Sequence, residues 1–78
     1  MKELVQYLAR ALVAHPDAVE VNEVQGDTAS VIELKVAKED LGRIIGKEGR
    51  TAKSIRTILN AAASRANRKV ILEIVEEK

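Results

Sequence analysis

At 78 residues the chain has room for one small domain, which buries only about 60% of the surface its unfolded chain exposes. Its residues are 46% apolar and 32% charged, a balance that excludes a disordered tail, and the lack of cysteine excludes a disulfide framework or thiolate metal site. The net charge of +1 is too small for coating nucleic acid through bulk charge, and it is unevenly spread. Between Arg43 and Arg56 five basic residues (Arg43, Lys47, Arg50, Lys53, Arg56) meet one acid, Glu48, a local +4 that leaves −3 for everything else.

In chain order, Leu4, Val5, Leu8, Ala11 and Leu12 recur on one helical face, predicting an amphipathic helix over residues 2–14. Its charges at Lys2, Glu3 and Arg10 spoil both a signal peptide and a membrane span, so the segment reads as part of the fold. Pro16 ends it. His15, the only histidine, reads as a solvated turn residue without a second ligand for a metal. Val19 and Val21 alternate with polar neighbours to about Val24, Gln25–Asp27 turns the chain, and Ile32, Leu34 and Val36 form a second strand. The two should pair as a hairpin.

Glu39 and Asp40 suit the first turn of a short helix carrying Leu41, Ile44 and Ile45. Gly46 and Gly49 interrupt it. A longer helix resumes near Arg50, with Ala52, Ile55, Ile58, Leu59, Ala62 and Ala66 at helical spacing. Val70–Val75 is the last strand, and Glu73, Glu76 and Glu77 give the chain a solvated acidic end. The order α, β, β, α, α, β predicts an α+β domain spanning 1–78, with one layer of three helices on one face of a three-stranded sheet. The long crossover allows the second and third strands to be parallel beside an antiparallel first pair, so the sheet is mixed.

Function concentrates in the break between the helices. Two glycines three apart allow a sharp turn without Cβ atoms, and the next helix offers unpaired N–H groups and the positive end of its dipole. Lys47 and Arg50 add full charges there, while Arg43, Lys53 and Arg56 extend the basic surface, so a chain of phosphates is the expected ligand. A nucleotide P-loop does not fit, because Gly42 and Gly46 enclose three residues and not four, and Glu48 stands where Ser or Thr would hold magnesium. The same two glycines match a membrane dimer motif, but Arg43 and Lys47 are untenable in an apolar span. No nucleophile and base are spaced for catalysis, and neither metal nor cofactor is called for.

The run from Gly42 to Arg50, with its Ile44-Ile45-Gly46-Lys47-Glu48-Gly49 core between two helices, resembles the signature of the KH family of RNA-binding domains. The preceding helix and strand make the chain similar to the type II arrangement, and its size and the run to Ile58 to the small bacterial KhpA family. The absence of cysteine fits a reducing cytoplasm, and the resemblance implies a groove for about four unpaired RNA nucleotides, floored by Ile44, Ile45 and Ile55 and edged by the second or third strand, with the glycine loop clamping the sugar-phosphate backbone. It further implies an RNA chaperone or post-transcriptional regulator, with roles near ribosomes or in control of growth and division. Tyr7 is the only aromatic, so the stacking sheet of an RRM is excluded. Glu48 weakens the loop's pull on phosphate, which points to weak, sequence-tolerant binding. Ala61 and Ala63 leave a smooth apolar side on the long helix, and Ile71 and Val75 face away from Val70, Leu72 and Ile74. With the resemblance, these imply a homodimer or a heterodimer with a KhpB-like KH protein. The alternative is an interaction module on the same scaffold to which nucleic acid is incidental.

Overall fold

Strand β2, Ala29–Val36, carries the fold's organising pattern. Ser30, Ile32, Leu34 and Val36 are buried while the residues between them are half-buried, as a central strand's pleat requires. In the computed structural model, which describes residues 1–76, β2 lies between β1 (Glu20–Gln25), paired antiparallel, and β3 (Lys69–Glu76), paired parallel. This is the mixed sheet expected from the sequence, and β3 is an edge strand.

Helices α1 (Lys2–Leu12), α2 (Leu41–Ile45) and α3 (Arg50–Arg65) pack on one face of that sheet. Val5 and Ala9 of α1, Ile44 of α2, and Ile55, Leu59 and Ala63 of α3 form a single core with Val21, Ile32, Leu34, Val36, Val70 and Leu72. The buried stripe of each long helix is displaced from its expected position. In α1 it runs through Leu4, Val5, Leu8 and Ala9, while Ala11 and Leu12 are exposed because the helix stops at Leu12 and Val13 is extended. In α3 the core stripe is Ala52, Ile55, Leu59 and Ala63. Ile58 lies on the flank, 44% exposed, and Ala62 is half-buried beside it. Ala66 is the C-cap and is exposed. Ala63, expected on a smooth outer side, is therefore core, and Ala61 alone of that pair faces solvent.

Helix α3 ends without glycine. Asn67 takes a left-handed conformation (φ 58°), its N–H bonds to Ser64 O, and the N–H of Arg68 reaches Ala63 O at 2.9 Å, a Schellman closure. Arg68 then donates to Gly26 O and Ser30 Oγ, fastening the start of β3 to the hairpin turn. On the open face of the sheet the register aligns Val24, Val31 and Ile71 in one row across the three strands. Ile71 and Val75 do face away from the core, as the strand's alternation predicted. Of the acidic end, only the Glu73 side chain falls within the described part, where it is exposed; Glu77 lies outside the described residues.

Asp40 joins the front of the molecule to its middle. It is buried in a 3-10 turn at Lys38–Asp40, and its carboxylate accepts the N–H groups of Ala14 and His15 at 3.0 and 2.9 Å. His15 Nδ1 lies 3.0 Å away and Arg43 Nε 3.6 Å, so His15 is a structural partner and not the free turn residue its sequence context suggested. Burial pushes the Asp40 pKa up, but the bonds from Ala14 and His15 and the His15 charge outweigh it, leaving the carboxyl below its ordinary 3.8. A carboxylate with a lowered native pKa stabilises the fold above the ordinary value, and that contribution disappears as pH falls through the native one. Asp40→Asn, which replaces an accepting oxygen by a donor, should lower the thermal midpoint at neutral pH. The difference from wild type should shrink as pH drops past 3.8 in circular-dichroism melts.

Candidate nucleic-acid interface

The turn between α2 and α3 is built from backbone conformations that side chains resist. Gly46 has φ 77° and ψ 172°, Glu48 φ 58° and ψ 24°, and Gly49 φ 75° and ψ 10°. Three of the four residues at 46–49 therefore have positive φ. The Gly46 N–H closes α2 on Gly42 O at 2.8 Å, and the Gly49 N–H bonds to Gly46 O at 3.1 Å. A Cβ on Gly46 would collide with Thr51, lying 2.7 Å from its Cβ and 2.8 Å from its N. At Gly49 there is open space, so glycine is needed there for φ alone. The left-handed Glu48 was not legible in the sequence, since glutamate has no preference for that region.

This reversal leaves the N-terminus of α3 without a side-chain cap, beside exposed Lys47 and Arg50. Arg50 Nη2 lies 3.5 Å from Glu48 Oε2, an exposed pair of small energetic weight. Next to the turn a cleft of about 420 Å³ opens, lined by Leu41, Ile45, Gly49, Ala52, Arg56 and Ile74. Its strand edge is thus β3, one of the two possibilities left open. The expected floor is corrected. Ile44 and Ile55 are 0% and 4% exposed and belong to the core, and only Ile45, 39% exposed, reaches the cleft. Leu41, Ala52 and Ile74 complete the apolar lining. Leu41 lies one turn before Ile45 on the same side of α2, a spacing that could have pointed to it; the crossing of β3 had no local signal.

Of the basic residues, Arg56 lines the cleft, while Lys47 and Arg50 stand at the turn. Arg43 and Lys53 are exposed and are not among the residues that line this cleft, and Arg43 leans toward Asp40. Among the described residues no group of three or more His, Cys, Asp or Glu side chains could hold a metal. No helix among them is long and apolar enough to cross a membrane.

A mixed sheet in the order β1-β2-β3, with a glycine turn between two helices on one face, is the architecture of a type II KH domain. The sequence profile of the KhpA/KhpB KH domain matches residues 2–74, and the chain belongs to that family. It is similar to "RNA-binding protein KhpA" of Caldanaerobacter subterraneus subsp. tengcongensis, with 56% identity over 96% of this chain and all of that one. Its counterpart in Chlamydia pneumoniae is 55% identical over the whole of both chains. Among solved structures, Aquifex aeolicus Era bound to GDP and AlF4 superposes with a TM-score of 0.61 at 24% identity. The match covers 96% of this chain and 29% of that one, and the likeness is one of fold.

The two glycines should respond differently to alanine. Gly49→Ala carries only the left-handed backbone cost of about 1–2 kcal/mol, whereas Gly46→Ala, at a φ and ψ (77°, 172°) essentially reserved for glycine, adds a packed collision and should cost about 2–6 kcal/mol. Urea denaturation of the two variants reads the difference; equal losses would contradict the contact with Thr51.

Proposed function

We propose that this protein binds single-stranded RNA. The turn at 46–49 holds the sugar-phosphate backbone of about four nucleotides, and their bases enter the cleft between α2, α3 and β3. The observation that carries this reading is the uncapped N-terminus of α3, exposed beside Lys47 and Arg50 and opening directly on an apolar cleft. Gly46, Lys47, Gly49 and Arg50 meet phosphate, with Glu48 moderating the charge. Ile45 and Arg56 line the base side, and Arg43 and Lys53 draw RNA in from a distance. Ile44 and Ile55 act from behind by holding the two helices at the cleft. The relatives named RNA-binding proteins support the assignment. On this reading the protein is a cytoplasmic RNA chaperone or post-transcriptional regulator and carries out no reaction of its own.

Changing Lys47→Asp together with Glu48→Asp places two acids at the phosphate site without touching the core, since both side chains are exposed. Anisotropy titration with an unstructured oligonucleotide should show binding lost while the thermal midpoint stays near wild type; unchanged affinity removes the reading. A clamp on two to four phosphates should also give a log-log salt slope of about −1.4 to −2.8.

The flank of α3 with exposed Ile58 and Ala61 and half-buried Ala62 supports pairing with a second copy or a KhpB-like KH protein. Ile58→Glu should shift the chain toward monomer in sedimentation velocity without loss of fold.

A further inference from the structure

The helices cover one face of the sheet, and the opposite face is open. Its side chains stand in rows set by the register: Val24, Val31 and Ile71, then Asn22, Glu33 and Glu73, then Glu20, Lys35 and Val75. The first row is wholly aliphatic, with Val31 half-buried, Val24 57% exposed and Ile71 42% exposed. Apolar residues scattered singly over a surface are ordinary, but three abreast form a band that marks a contact. Between the other two rows the face dips into a depression of about 420 Å³, lined by Glu20, Val21, Asn22, Glu33, Lys35 and Val75.

Charge on this face is unbalanced. Lys35 Nζ lies 3.7 Å from Glu20 Oε2, so that pair neutralises itself. Glu33 and Glu73 sit directly opposite each other on adjacent strands, about 4.8 Å apart. Asn22 Nδ2 reaches Glu33 at 3.4 Å, a long bond that leaves most of the repulsion in place. Like charges facing each other across a strand pair weaken a sheet. Charges that guard a sheet against aggregation belong on its edges, yet Glu33 is on the central strand. The arrangement makes sense if a cation is brought between the two carboxylates from outside. RNA is the wrong occupant, because the same carboxylates repel phosphate and the strand backbone beneath them is engaged in the sheet.

The dimensions narrow the partner further. Three strands are about 10 Å across and three rows about 13 Å along, too small for the ~800 Å² that each side of a globular interface buries. One helix, about 10 Å in diameter, covers that width, and about nine of its residues cover the length. Neighbouring rows are about 6.7 Å apart, close to the ~6 Å between helical residues four apart. We infer that the open face of the sheet is a docking surface for one basic amphipathic helix of another protein. Its aliphatic residues lie on Val24, Val31 and Ile71, and a lysine or arginine four places on sits between Glu33 and Glu73. Because the glycine turn is on the other side of the sheet, the helix and a nucleic acid are held at once. The docking surface does not depend on the RNA-binding reading.

The probe is a synthetic peptide of about twelve residues, three helical turns, with leucine and lysine four apart along one face. Two controls are a scrambled peptide of the same composition and one with glutamate for lysine. In methyl NMR titrations of the full chain, the ordered basic peptide should move Val24, Val31, Ile71 and Val75, and leave Ile32, Leu34 and Ile45 in place. Neither control should do so. Glu33→Gln with Glu73→Gln should bind that peptide about tenfold more weakly. The same double variant should melt no lower than wild type, since a repulsion is removed, and should keep wild-type affinity for an unstructured oligonucleotide. No binding of the ordered peptide, equal binding of the scrambled one, or full affinity in the double variant overturns the proposal. A lower melting temperature in that variant also overturns it, by showing that the carboxylates serve the fold. Open-face methyls that move with protein concentration alone place a second copy there, and methyls that move with the oligonucleotide place RNA there; either result overturns it as well.

Discussion

The backbone reversal at 46–49 is the constraint from which the site follows. Were the helix continuous from Leu41 to Arg65, its amide donors would be spent internally and no cleft would open between α2 and α3. Positive φ at Gly46, Glu48 and Gly49 breaks it within four residues and turns the start of α3 outward. The same tight turn brings Gly46 against Thr51 so closely that no Cβ fits between them. The geometry that presents the donors is thus the geometry that excludes other residues.

Such a turn is useful only if the helices it joins are held firmly. Ile44 and Ile55, one from each helix and each almost wholly buried, anchor the pair to the sheet from behind. Asp40 does the same from the side, since its carboxylate gathers two backbone N–H groups from the segment after α1 immediately before α2 begins. An ionised buried carboxylate needs such partners, and their loss would loosen the approach to the cleft rather than its lining. On the far wall, the Schellman closure at Asn67 and the two bonds from Arg68 set where β3 starts. The spacing of the groove along β3 therefore depends on a loop at the opposite end of the molecule from the glycines.

What could be read from the sequence was whatever repeats or is locally unusual. The alternation of Ile32, Leu34 and Val36 and the paired glycines have direct physical meaning, so the element order, sheet pairing and turn followed from them. The stripe of α3 was misplaced because Ile58, Ala62 and Ala66 fit a helical spacing nearly as well as Ala52, Ile55, Leu59 and Ala63. Only the position of the sheet decides between them. The cleft floor was misassigned for a related reason: adjacent isoleucines at 44 and 45 point about 100° apart on a helix, and the sequence does not say which one faces inward. Asp40 and His15 are far apart in the chain, and Asn67 closes a helix without the glycine that usually marks it.

Charge is arranged to match the division of the molecule into two faces. The register sets Asn22, Glu33 and Glu73 in one row on the open side of the sheet and Glu20, Lys35 and Val75 in the next, a surface with more acid than base. The cations Lys47, Arg50 and Arg56 lie at the turn and along α3, against a near-neutral total. A polyanion is therefore guided to one side of the protein and discouraged from the other, although the net charge of +1 gives little attraction at long range. Within the loop, Glu48 offsets part of what Lys47 and Arg50 supply, but it cannot cancel the backbone donors of α3, which carry no titratable group. Backbone donors bind any phosphate equally, and aliphatic walls accept any base. On the proposed RNA-binding reading, discrimination among RNAs falls to the few polar groups along the groove, namely Arg56 and the free edge of β3.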